Sequence, residues 1–379
     1  MLNRRSLRIK VMQSLFALHQ CKEASFELCL EKIGEAFLPD LNSMEVQNKE
    51  LLNLQKKTAT ALFKKAFEEG KSKADHEDDK IKKAVNSAFV FYNAQVKKDT
   101  DFLRKNVVVE VEKIYEFYIA ALSLATAFAE LAEADKKVSH KNFVNNTWIK
   151  ALRNSEPLKK DALRLGRHWQ NNVDQVRQWF RDVVRQDNEY LNYLDRKSPT
   201  EDDQRKFASH LFKKIILGNS VINDFFEEEV LRWAEDKEIV RALVEKTVKS
   251  FDPEKDKTIT LNTLSLNWDE DKEFIETLYD KATNLSDKHQ ELIANNTRNW
   301  EVERLPLTDR VIIEMSIAEL LSFPNIPIKV TINEYIELAK TYSTPKSRQF
   351  INGILDVIAK ELQESGEIKK SGRGLIDNK

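Results

Sequence analysis

Apolar residues recur along this chain at helical spacing. Leu7, Val11, Leu15 and Leu18 fall four, four and three apart, which places one stripe on a helix over 4–20. Arg4 and Arg8 lie one turn apart on another face. Further helices are predicted over 50–69, 80–98, 107–137 and 158–194. Between the first two of these lies KSKADHEDDK, read as a solvated connection. The stretch 117–129, bounded by Glu116 and Glu130, holds no charge but is too short to span a bilayer. It predicts a buried core helix.

Capping chemistry marks later helix starts. In Ser198-Pro199-Thr200-Glu201 a serine can cap, proline suits the first helical position, and an acid stands three residues on. A helix to about 226 and another over 227–250 should follow. Residues 251–270 contain Pro253 and a Thr/Asn-rich stretch, and read as a long connection. The division expected there is 1–265 and 266–379. Thr308 is placed to cap a helix ending near 322. Pro324 and Pro327 stop it. Thr331 and Glu334 suggest a capping box for a helix through Tyr342. Thr344 and Pro345 start the last helix, with Ile351, Leu355, Ile358 and Leu362 as its buried stripe. Gly353 inside that helix costs about 1 kcal/mol relative to alanine, which a closely packed neighbouring backbone would explain. The end, 366–379, reads as a flexible tail. Phe207, Leu211, Phe212, Lys214 and Trp233 match Phe274, Leu278, Tyr279, Lys281 and Trp300 at one offset. That fits either a duplication or shared helical patterning.

Composition narrows the picture to an all-α protein. Glycine is 8 of 379 residues, well below the usual ~7%, so Gly-rich phosphate loops and tight β-turns are unsupported. Cys21 and Cys29 lack the CxxC spacing of a zinc or redox site. No Walker loop, GxGxxG, HExxH or GxSxG occurs. Neither a catalytic centre nor a cofactor or metal is expected. No secretory h-region or cleavage site follows the N-terminus, although its Arg-rich, acid-free start also has the character of a mitochondrial presequence. A cytoplasmic protein with no membrane association is expected.

Lys and Arg number 61 and Asp and Glu 62, a net charge of -1, yet the distribution is uneven. Met1–Lys22 contains Arg4, Arg5, Arg8, Lys10 and Lys22 and no acid. Arginine can hold phosphate in bidentate fashion and stack on bases. Composition leaves two readings: an RNA-binding face or a solvated helix face. A second basic cluster, Lys346 and Arg348, opens the last helix, where free backbone N–H groups favour anions. Phe350 could stack a base there, or serve as core at its spacing of four to Ile354.

Three ordered segments resemble the NusB family of transcription antitermination factors: RRSLRIKVMQSLFALHQ, NWEVERLPLTDRVIIEMSIAEL and IPIKVTINEYIELAKTYSTPKSRQFINGILD. They cover 1–22 and about 270–379, and the long middle would be a large helical insertion. The resemblance implies helical-bundle subdomains of NusB type and no enzymatic activity. It implies an RNA-binding factor that takes boxA-type single-stranded RNA together with NusE, a small-subunit ribosomal protein. Within the RNA polymerase antitermination complex it would suppress termination, notably in ribosomal RNA transcription. Carried over by position, Arg4, Arg5, Arg8, Lys346, Arg348 and Phe350 would bind RNA, and Phe16 and Asp309 would face NusE. Lys346 stands where the family often has an acid, and Phe16 where a tyrosine is common. The alternatives are a NusB-like protein linked to ribosomal RNA methylation, for which glycine and chain length leave little room, or a helical adaptor without RNA binding.

Overall fold

The computed structural model describes residues 2–40, 42, 46–230, 232–297 and 305–378. Among them every regular element is helical and none is a strand, as the apolar spacing implies. In chain order the helices are α1 (Arg4–Glu35), α2 (Lys49–Glu68), α3 (Asp79–Ala134), α4 (Lys141–Val144), α5 (Thr147–Arg153), α6 (Glu156–Arg164), α7 (Val173–Asp182) and α8 (Asn188–Leu194). Then come α9 (Glu201–His210), α10 (Ser220–Glu229), α11 (Trp233–Ser250), α12 (Trp268–Thr283), α13 (Asp287–Thr297), α14 (Leu307–Ser322), α15 (Ile328–Tyr342) and α16 (Pro345–Glu364).

Several boundaries differ from the sequence expectation for definable reasons. Asn3 caps α1, its side-chain oxygen accepting from Ser6 N at 2.8 Å. The helix continues to Glu35 because Ser25, Cys29 and Ile33 extend a buried row at spacings of four. The two helices predicted over 80–98 and 107–137 are one helix, α3. The charged stretch between them contains neither glycine nor proline, so nothing interrupts the backbone. Its residue Arg104 pairs with Asp280 at 2.7 Å. Conversely, 158–194 is not one helix. Gly166 (φ +68°) closes α6, with Gly166 N donating to Leu163 O and Arg167 N to Ala162 O at 2.7 Å, the paired bonds of a left-handed helix end. Trp169 follows at φ 61°, held by its indole N–H on Ala120 O at 3.0 Å. The helix expected from Ser198 starts at Glu201 instead, where Thr200 and Asp203 form the capping box. It passes into a π-helical turn, Leu211–Ile216, and breaks at Gly218, where a Cβ would lie 2.5 Å from Lys213 O.

The chain divides into two compact units, one of residues 1–7 and 109–271, the other of 8–108 and 272–379. In the first, 117–129 is buried apart from Thr126 and Ala127, so the uncharged stretch is core. The helix α3 that contains it is long and apolar enough to cross a membrane, but most of that apolar window lies inside the protein. The connection after α11 is pinned by the Tyr118 hydroxyl, which accepts from Asn262 N at 3.0 Å and pairs with Thr247 Oγ1 at 2.6 Å. Trp148 donates to Val248 O at 2.9 Å.

The second unit has two packing centres. The later half of α1, α2 and the start of α3 enclose Cys29, Ile33, Phe63, Val85 and Phe89. Asp78 caps α3, accepting from Lys80 N at 2.8 Å. The other centre is the mutual packing of α14, α15 and α16. Residues 311–320 of α14 are buried on every side, Glu314 and Glu319 included. In α16, Ile351, Leu355, Ile358 and Leu362 are buried as predicted, and Thr344 Oγ1 accepts from Ser347 N at 3.2 Å. The α15 start is different: it follows Pro327, and Thr331 turns its hydroxyl inward rather than capping. No atom lies within 4 Å of a Cβ placed on Gly353, so close packing does not account for that glycine. The C-terminal stretch is docked rather than free. Lys370 Nζ donates to Leu320 O and Phe323 O, and a Cβ on Gly374 would meet Pro324 O at 2.0 Å. In the repeat, Phe207, Leu211, Phe212, Phe274, Leu278 and Tyr279 are all buried, and Trp300 lies outside the described residues.

Candidate nucleic-acid interface

The basic residues of α1 fall into different environments. Arg4 is half-buried and pairs with Glu270 at 2.6 Å and Asp271 at 3.5 Å. Arg5 is exposed. Arg8 is inside, 2% exposed. Its Nε and Nη2 donate to the two oxygens of Glu319, each at 2.7 Å, a bidentate pair. Glu334 stands 3.6 Å from Nη1, and the guanidinium lies 5.4 Å from the Phe274 ring centroid. Thr331 and Tyr335 hydroxyls also donate to Glu319, at 2.9 and 3.0 Å. Burial opposes the charge on Arg8, but the Glu319 hydrogen bonds and charge outweigh it and hold its pKa above the ordinary value. Burial likewise pushes the Tyr335 hydroxyl well up. Arg8 is therefore not an exposed phosphate contact: it ties α1 to α14 and α15. Lys10 is buried as well.

At the start of α16, Lys346 and Arg348 are exposed. Phe350 is 8% exposed and belongs to the buried face with Ile351 and Ile354. Of its two sequence readings, the structure places it in the core. Phe16 is exposed on α1. Asp309 is buried and accepts from the Ser343 hydroxyl at the junction of α15 and α16. Its carboxylate faces the interior.

A further buried acid of α14, Glu314, was, like Glu319, not singled out from sequence. His19 Nε2 donates to it at 3.1 Å and Arg310 Nε at 2.8 Å. Burial raises its pKa, but the His19 hydrogen bond and the His19 and Arg310 charges more than offset this, leaving it below the usual value. Nearby, burial lowers the Lys22 pKa. The available signal was two carboxylates within the otherwise apolar VIIEMSIAELL, where a helix apolar all round is a central one. A buried acid there requires a partner.

The sequence profile of the NusB family matches residues 237–360. The transcription antitermination protein NusB of Salinibacter ruber is 43% identical over 90 residues, 24% of this chain and 56% of that protein. The NusB of Chloroherpeton thalassium is 48% identical over 85 residues, covering 22% and 40%. That of Dictyoglomus turgidum is 41% identical over 91 residues, covering 24% and 61%. The chain thus spans about half the length of these curated relatives. No solved structure matches it. Residues 1–22 lie outside the matched segment, yet α1 from Arg8 onward is bonded into the same unit as α14 and α15. The C-terminal part of the chain, residues 237–360, is thus similar to the NusB family.

Proposed function

We propose that this protein is an RNA-binding antitermination factor that takes boxA-type single-stranded RNA together with NusE and suppresses termination in ribosomal RNA transcription. The observation that carries the reading is the family match over 237–360, in a domain whose last helix presents exposed Lys346 and Arg348 in its first turn. There the ammonium and guanidinium groups neutralise phosphates beside the positive end of the helix dipole. Arg5, and Arg4 released from Glu270, supply further phosphate contacts. Arg8 acts at one remove, by fixing α1 through Glu319. Phe350 anchors α16 from below. Phe16 offers an apolar contact to NusE, and Asp309 shapes that surface by fixing the α15–α16 junction. RNA polymerase is engaged through the assembled complex.

The test is a titration of a boxA-type RNA, with and without NusE, across a range of salt concentrations. Arg5→Ala, Lys346→Ala and Arg348→Ala combined should lower the log–log salt slope by about 0.7 for each lost contact to single-stranded RNA. An unchanged slope, or the absence of any gain on adding NusE to the unaltered protein, defeats the assignment.

A further inference from the structure

The bundle of α1, α2 and α3 carries a groove that the reading above does not use. It has a volume of about 710 Å³ and runs between α1 and α3. Lys32 enters from α1, and Lys80 and Lys83 from the first turns of α3. The lining between them is small, as at Ala84, and includes one carboxylate, Glu35. Among the described residues no ion pair engages any of the three lysines, although acids lie close by in sequence. Asp75 binds Lys82 at 2.6 Å, and Asp78 accepts from Gln55 at 2.7 Å and from backbone N–H groups at the start of α3. The lysines rest on aromatic rings instead. Lys32 Nζ is 4.5 Å from the Phe91 centroid and Lys80 Nζ 5.2 Å from that of Phe37. Such cation–π seating holds an ammonium in place while leaving its donors outward.

We propose that this groove binds the phosphodiester backbone of single-stranded RNA without regard to sequence, lengthening the tract that the protein holds. The ligand class follows from the chemistry. Three compact ammonium groups act as point charges that need no fixed ligand orientation, which suits the successive phosphates of a flexible chain. Phe37 is buried beneath Lys80, and Phe91, which lines the groove, carries Lys32 on its ring, so the lysines rather than the rings make the main contact, and it is with the backbone. The choice of RNA as the source of phosphates rests on the function proposed above.

The experiment uses the full chain and a labelled oligouridine of about 20 nucleotides, followed by anisotropy across a salt series. Lys32→Gln, Lys80→Gln and Lys83→Gln combined should lower the log–log slope by about 2, three contacts at about 0.7 each. A control removes equal charge from exposed positions on α2, by Lys57→Gln, Lys64→Gln and Lys65→Gln, and should leave the slope unchanged. Equal effects of the two sets, or no effect of the first, overturn the proposal. So does groove-dependent binding of polyglutamate by a protein that ignores oligouridine, which would mark a site for an acidic protein. If boxA-type RNA binds no tighter than oligouridine, yet the slope still depends on the three groove lysines, the antitermination reading falls and the groove assignment stands.

Discussion

Removing the Arg8 guanidinium tests whether that residue is architecture or RNA ligand. Arg8→Ala leaves Glu319, whose side chain is 0% exposed, with the Thr331 and Tyr335 hydroxyls as its bonded partners in place of a bidentate cation. Breaking a buried pair by deleting one member typically costs about 3–5 kcal/mol, whereas replacing both by well-packed neutral groups is often nearly neutral. The variant should therefore lose about 3–5 kcal/mol of local stability, and Arg8→Met combined with Glu319→Gln should recover most of it. Because the chain has two compact units, one global unfolding free energy is a poor readout. Hydrogen exchange read by mass spectrometry on α14 and α15 peptides follows the affected helices directly. The expected result is a loss of protection in α14 and α15 on Arg8→Ala and its return in the double variant. Protection within about 1 kcal/mol of the unaltered protein, together with a drop of about 0.7 in the RNA salt slope, would show that Arg8 contacts phosphate and that the reasoning is wrong.

Glu314 has its pKa held below the ordinary 4.5, so it contributes stability that is present above that value and lost as pH falls through the lower folded one. Glu314→Gln should flatten the acid limb of a Tm profile taken from pH 6 to 3, and superimposable profiles would refute this. Gly353→Ala places a methyl in open space on a helix and should stabilise α16 by about 1 kcal/mol, seen as a raised Tm. Gly374→Ala should release the C-terminal turn from Pro324 O, read as faster exchange over 370–376 with α16 protection retained. Ser343→Ala removes a hydrogen bond to buried Asp309 and should cost about 1–3 kcal/mol. An unchanged Tm would show that Asp309 does not depend on it.

The parts of the fold most legible in the sequence were those in which apolar spacing and capping agree. The α16 stripe and its Thr344–Pro345 start are the clearest case. Misreadings arose where charge was taken as a break. Residues 99–106 look like a linker, but a helix stops for want of backbone hydrogen bonds or for a special φ, not for want of apolar residues. The opposite error over 158–194 has the same origin, since Gly166 and the left-handed Trp169 end helical geometry while the apolar pattern carries on. At the site, residue type alone did not separate Arg5 from Arg8. What separates them is Glu319, 311 residues away, and no local window contains that partner. Thr331 was misassigned for the same reason: its hydroxyl serves Glu319 rather than its own helix.

The Arg8–Glu319 pair also sets a timetable for synthesis. Residues 109–271, which supply most of one unit, are translated before α14 exists, while Arg8 on α1 waits for its acceptor. At about 5–20 residues per second, the separation of 311 positions between the pair takes roughly 15–60 s to synthesise. For that interval Arg8 is a cation without its acceptor carboxylate, open to premature pairing with other acids. Closing the second unit is thus the late event in the life of the nascent chain, and slow codons or truncation ahead of α14 would be felt first at the opposite end of the sequence.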